Sequence, residues 1–242
     1  MYKILGSAFI AITFLLSGCG GGGGGSSLPA GPVTSTLSFP LQSAYKTNIA
    51  NGSTVNYTVL GTGIPSAPNG CHGAASIVDA TPVSATFETI PGFSVSGTIT
   101  LNLTDCTPSS TAITGVSYYD SNYNPIGSSI PGTEYDVYLT VPSPLPTSVK
   151  VGDTAIFGTQ YIYSDSFKTT QIATDQTSFV IEPDTATTAI ANAITKRYNM
   201  SNQLLFTDQN RYRITATGAF TPVSDDVQYS TTSTTNILYT AQ

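Results

Sequence analysis

The chain has 242 residues, room for one large domain or two of about 100 each. Charged residues make up only 9%, against roughly 25% in an average globular protein, and the net charge is −6 with a pI near 4.4, which excludes the basic surface of a nucleic-acid binder. The single His, His72, excludes most His-based metal sites and acid–base chemistry, while 38 Thr and 28 Ser supply the polarity that charge does not.

The amino terminus reads as an address. Lys3 precedes an apolar run over residues 4–16, shorter than the roughly 20 residues of a spanning helix but suited to the core of a secretory signal. The run ends in Leu16-Ser17-Gly18-Cys19, which resembles the lipobox of bacterial lipoprotein precursors. The resemblance implies that residues 1–18 are a signal peptide and that Cys19 carries a diacylglycerol and an amide-linked acyl chain such as palmitate. Several acyl chains on one residue satisfy the two-signal requirement of stable anchoring. In the best-known Gram-negative systems an Asp after the Cys retains the protein at the inner membrane. Gly20 here implies the outer membrane, with the periplasmic or the surface face left open. Six glycines, residues 20–25, then begin a Gly/Ser tether that completes the segment 19–36.

Setting Cys19 aside leaves Cys71 and Cys106, an even pair in an oxidising compartment, and predicts a disulfide between them. No CxxC is present, and His72 alone offers too few ligands for zinc.

The body alternates with period two. Val55, Tyr57 and Val59 alternate with Thr54, Asn56 and Thr58. Phe93, Val95, Gly97, Ile99, Leu101 and Leu103 alternate with Ser94, Ser96, Thr98, Thr100, Asn102 and Thr104. Tyr135, Val137, Leu139 and Val141 alternate with Glu134, Asp136, Tyr138 and Thr140, the first set read as the apolar face. Each pattern predicts a half-buried strand with a Thr-rich outer face. Turn signals lie between them at Asn51-Gly52, Pro68-Asn69-Gly70, Pro91-Gly92, Pro131-Gly132 and Gly152-Asp153. Pro142, Pro144 and Pro146 read as a stiff linker over 142–147. The expected fold is therefore all-β with two small antiparallel domains. A disulfide-stapled, Ig-like sandwich covers 37–141, and a second antiparallel sheet or sandwich covers 148–242.

In the second half, residues 155–163 and 178–181 read as strands. Residues 185–198 fit two descriptions. Ala186, Ala189, Ile190, Ala193, Ile194 and Arg197 recur at helical spacing behind Asp184, but Ile190, Ile194 and Tyr198 share a strand parity. Residues 199–202 look like a hairpin connection into 203–207, which favours the strand. Residues 211–217 read as a strand with Tyr212, Ile214 and Ala216 on one face, and 224–229 and 236–239 complete a meander. Arg197, Arg211 and Arg213 either form an anion-binding cluster across a hairpin or serve as cross-strand partners of nearby carboxylates. The Cys-polyglycine start, residues 118–124, Val151-Gly152-Asp153 and residues 208–213 resemble a family of uncharacterised lipoproteins of beta-proteobacteria. That resemblance implies an anchored, β-rich protein and carries no activity with it.

Catalytic motifs fail one by one. GxSxG and HExxH are absent. A Ser–His–Asp triad would need His72, beside a disulfide cysteine. Glycoside hydrolysis would draw two carboxylates from Asp79, Glu88, Asp105, Asp120, Glu134 and Asp136 across a cleft. Asp120-Ser121-Asn122-Tyr123-Asn124 matches the start of an EF-hand loop, but Pro125 stands where Gly is needed and Pro131 where Glu is needed. The segment with Tyr118, Tyr119, Asp120, Asn122, Tyr123 and Asn124 is the candidate ligand surface. Its alternative reading is a strand end followed by a polar turn. The expectation is a non-enzymatic envelope lipoprotein of binding, adhesion or structural role, with no metal or cofactor. It would meet the membrane through its lipid, an envelope protein or glycan as partner, and no nucleic acid. A Tyr-based carbohydrate-binding module and an envelope hydrolase are the alternatives.

Overall fold

The structure, a computed structural model, describes residues 33–62, 70–106, 110–230 and 234–241. Cys19, the signal and the tether lie outside the described residues. The alternating segments form thirteen antiparallel strands: β1 (Ser53–Thr62), β2 (Cys71–Asp79), β3 (Val83–Phe87), β4 (Ile90–Leu103), β5 (Ser110–Asp120), β6 (Pro125–Ile130), β7 (Glu134–Tyr138), β8 (Thr154–Tyr163), β9 (Gln171–Pro183), β10 (Thr188–Asn199), β11 (Leu204–Thr215), β12 (Phe220–Ser230) and β13 (Thr234–Ala241). From β4 to β13 each strand pairs with the next in the chain.

Two further pairings close this meander into a barrel. β1 pairs with β13, with Val59 opposite Tyr239, and β2 pairs with β4, with Ile77 opposite Ile99. The 14-residue β4 has room for two partners on one edge: β3 along Ile90–Ser94 and β2 along Gly97–Leu103. β2 and β3 thus lie end to end, separated by a break that contains Pro82, which has no N–H for the ladder. The cross-section is a closed barrel of twelve strands with one added strand. It replaces the two Ig-like domains expected from the sequence. β7 and β8 are neighbours in this one sheet, with Val137 opposite Tyr161, so the Pro-rich segment between them does not separate two sheets. Leu145 packs into an apolar core, and the Pro146 carbonyl accepts from the Gln42 amide.

A helix unforeseen in the sequence pattern, α1 (Leu41–Asn51), sits under that segment. Leu41, Ala44, Tyr45, Asn48 and Ile49 share one helical face by their spacing. Leu41 and Ala44 pack into the apolar core, and Leu41, Tyr45, Asn48 and Ile49 face the barrel interior. Gly52, at φ +65°, ends the helix in a conformation that a Cβ would strain, and a Cβ there would also meet the Asp79 carbonyl. A bridge between Phe39 and Val149 and another between Val33 and Asp184 hold the preceding segment across the same end.

The two parities of the wall have opposite characters. Thr54, Asn56 and Thr58 on β1, and Ser94, Ser96, Thr98, Thr100 and Asn102 on β4, point out, while Tyr57, Val59, Val95, Ile99 and Leu101 point in. A membrane-spanning barrel needs the reverse, an apolar outer band around a polar lumen. No described helix is long and apolar enough to cross a membrane. Inside, two apolar clusters lie toward opposite ends of the barrel. One gathers Phe39, Leu41, Phe179, Ile181 and Ile214 around α1. The other gathers Tyr57, Val59, Leu101, Phe206, Val227 and Tyr239. Full burial of each large side chain stabilises by about 1.5–3 kcal/mol.

Residues 188–199 are strand β10. It turns at 199–203, where the Asn199 side chain accepts from the Ser201 and Gln203 amides, and returns as β11. The hairpin reading therefore holds over the helical one, and 204–215 is one continuous strand. β7 corrects another expectation, because its parity is inverted. Glu134 and Asp136 are buried in the interior, while Tyr135 and Val137 take the outer side.

Candidate functional site

Between the two apolar ends lies a cavity of about 400 Å³. Its wall carries five aspartates from five strands: Asp79 (β2), Asp136 (β7), Asp175 (β9), Asp208 (β11) and Asp225 (β12). Tyr45, Tyr119, Tyr138 and Tyr212 add phenol rings. Asp175, Asp208 and Asp225 occupy the parity that their strands otherwise give to apolar residues. Asp175 falls in register with Ala173, Phe179 and Ile181, and Asp208 with Phe206 and Ile214.

One guanidinium anchors the carboxylate belt. Arg197, on the inner face of β10, donates from Nε and Nη2 to both oxygens of Asp175 at 2.8 and 2.7 Å. Its Nη1 donates to Glu134 at 2.7 Å, and its Cζ lies 5.2 Å from the Phe206 ring centroid. Burial pushes the Asp175 carboxyl up against the opposing pull of Arg197. The fork geometry is the strong form of carboxylate recognition.

The remaining aspartates lack such a partner. Burial, then the Glu134 charge, pushes Asp136 up to about 7, although Ser128 Oγ donates to its Oδ2 at 2.7 Å. Burial, then the Asp225 charge, pushes Asp208 well up, and a hydrogen bond shared with the Asp225 carboxyl adds to the rise. Asn210 Nδ2 donates to Asp208 Oδ1 at 2.9 Å. Asp225 is pushed up to about 6, chiefly by burial. Two carboxyls sharing one proton is the expected outcome when like charges are buried together. Asp79 is also raised by burial, while Ser53 Oγ donates to it at 3.1 Å. Tyr45 and Tyr119 share a hydrogen bond between their hydroxyls, and burial pushes Tyr119 up to about 12.

Asp136 has an ordinary value of 3.8 when unfolded and about 7 when folded. Between those values the folded chain holds more protons than the unfolded one, so stability falls as pH rises from about 4 to 7. We expect denaturant unfolding at pH 5 and 7 to show this fall. In Asp136→Asn, which keeps an acceptor for Ser128, the slope should flatten by up to about 1.4 kcal/mol per pH unit. Equal slopes for both proteins would contradict the assignment.

The sequence-derived candidates lie elsewhere. Tyr118 stacks on Phe87 at 4.3 Å on the outer face, Tyr119 is buried inside, and Tyr123 stacks on Phe93 with Lys46 Nζ 5.1 Å from its ring. Asp120 Oδ1 accepts from the Asn122 and Asn124 amides and Oδ2 from Asn124 Nδ2, so its carboxylate is engaged in the turn, and Asn124 is buried. The six residues share no exposed face. The three arginines also separate. Arg197 is inside, whereas Arg211 pairs with Glu182 at 3.3 Å and Arg213 with Asp184 at 2.7 Å on the outer face. His72 lies outside, 2.7 Å from Asp105. Cys71 and Cys106 are joined, with Cα atoms 5.6 Å apart.

Of the six carboxylates weighed from the sequence, Asp79 and Asp136 line the cavity and Glu134 is buried beside it. Asp175, Asp208 and Asp225 were missed. Their readable signal was a charge on the apolar parity of a strand. No family model, no curated protein and no solved structure matches the chain.

Proposed function

We propose that the protein is a lipid-anchored, outer-membrane-associated envelope protein whose barrel has a non-enzymatic binding role, exercised through the interior cavity. One observation carries the binding reading: a polar-outside wall encloses a space lined by carboxylates and phenols instead of filling it with apolar side chains. Pockets of about 300–1,000 Å³ that mix aromatic walls with a few polar groups are the usual form of small-molecule sites. The anchoring part rests on the Leu16-Ser17-Gly18-Cys19 resemblance. The Gly-rich tether would hold the barrel in water beside the bilayer, as its polar outer face requires. Labelled palmitate is expected to enter the wild-type chain and not Cys19→Ala, which should leave the membrane fraction. Equal labelling of both would overturn the anchor.

An envelope hydrolase is the second reading, favoured by the Asp208–Asp225 pair, because proton-sharing carboxyls can divide acid and base roles. Both residues are almost fully buried in the barrel wall, which favours a binding role over that of an accessible acid–base pair. Hydrolysis of a defined glycoside or peptide, lost in Asp208→Asn, would reverse that preference.

A further inference from the structure

We propose that the cavity binds a small organic cation, its ammonium group held by Asp136 or by Asp225 and its body packed against the tyrosine rings. The proposal rests on the binding reading above and names its ligand. The first support is charge. No Lys, Arg or His stands among the described lining residues, against five aspartates. The nearby Arg197 is already engaged by Asp175 and Glu134. An anion would find no cationic side chain on the described lining to pair with.

The second support is independent of the charge count. Asp136 and Asp225 are only 7% and 5% exposed, both line the cavity, and no amide, hydroxyl or cationic donor reaches the Oδ1 of either. Buried acceptors are nearly always satisfied, because leaving one unmade costs its full desolvation penalty. A ligand that brings N–H donors supplies what the wall lacks. The third support is the aromatic lining: the faces of Tyr45, Tyr119, Tyr138 and Tyr212 attract a desolvated cation. A metal ion fits less well, since no group of three or more potential ligands among the described residues is arranged to hold one. The carboxylates are spread over five strands, with apolar Val95, Ile99 and Phe179 between them, which suits a cation with a hydrocarbon body.

The test is titration of the full chain with tyramine and spermidine, and with tyrosol, which carries a hydroxyl in place of the tyramine ammonium. Calorimetry should give saturable binding of an ammonium probe and at least tenfold weaker binding of tyrosol. Asp136→Asn or Asp225→Asn should weaken ammonium binding at least tenfold with far-UV circular dichroism unchanged, while Lys46→Gln, on the exposed face of α1, should leave it intact. Tyrosol binding as well as tyramine would overturn the cation assignment and leave the binding reading in place. Undiminished affinity in both Asp variants would also overturn it. If neither ammonium probe binds, the cation proposal is wrong. The broader reading then stands or falls on whether native mass spectrometry of the full chain finds any small molecule retained in the barrel.

Discussion

Arg197→Met is expected to destabilise the barrel by about 3–5 kcal/mol, because it removes the cation paired with two buried carboxylates. In a chain of this size that lowers the melting temperature by about 6–20 °C. Asp175 loses both of its charge-assisted hydrogen bonds, and Glu134 loses the Nη1 contact. The cation over the Phe206 ring goes as well. The triple variant Arg197→Met, Asp175→Asn, Glu134→Gln should recover most of the loss, since neutral groups of similar shape leave no buried charge to compensate. Guanidinium unfolding of the three proteins measures both effects. A single variant within 1 kcal/mol of wild type would show that water, not Arg197, satisfies the carboxylates.

The second large effect is expected from the disulfide. Cys71 opens β2 and Cys106 follows β4, so the bond ties together the two strands whose pairing closes the barrel. The enclosed loop has a sequence separation of 35 residues. By the loop-entropy relation, opening it costs about 4 kcal/mol. Cys71→Ser with Cys106→Ser should therefore unfold at markedly lower denaturant. Hydrogen exchange should rise first along the β2–β4 ladder, where Ala75 faces Leu101 and Ile77 faces Ile99. Uniform exchange across the whole sheet would mean that the bond stabilises the barrel globally and not at its seam.

Much of the wall was legible in the sequence. The inward faces of β1 and β4 follow directly from Val55, Tyr57 and Val59 and from the run Phe93 to Leu103, because alternation is a local signal. Closure was not legible. Tyr57 opposite Ala241 and Ala75 opposite Leu101 are choices between edges, and nothing local distinguishes an edge that closes a barrel from one that ends a sandwich. The prolines at 142, 144 and 146 looked like a spacer because stiffness reads the same in a linker and in a strap across a barrel end. β7 was inverted because Tyr135, Val137 and Leu139 are more apolar than Glu134, Asp136 and Tyr138, and only a polar interior makes the second set the inner one. The same assumption, that inward means apolar, hid Asp175, Asp208 and Asp225. The Tyr118–Asn124 segment failed as a site because its polar atoms satisfy one another within the turn.

The seam between β1 and β13 also sets an order of events. β1 is the first described strand and β13 the last, so β1 keeps one edge open until the rest of the described chain is in place. Joining distant ends adds little to the equilibrium cost, since loop entropy grows only logarithmically, but it slows folding. Until the last ladder forms, Asp136, Asp208 and Asp225 stand in water as ordinary ionised carboxylates. Completing the barrel therefore draws protons from the medium, and mild acidity favours the completed barrel over the open chain.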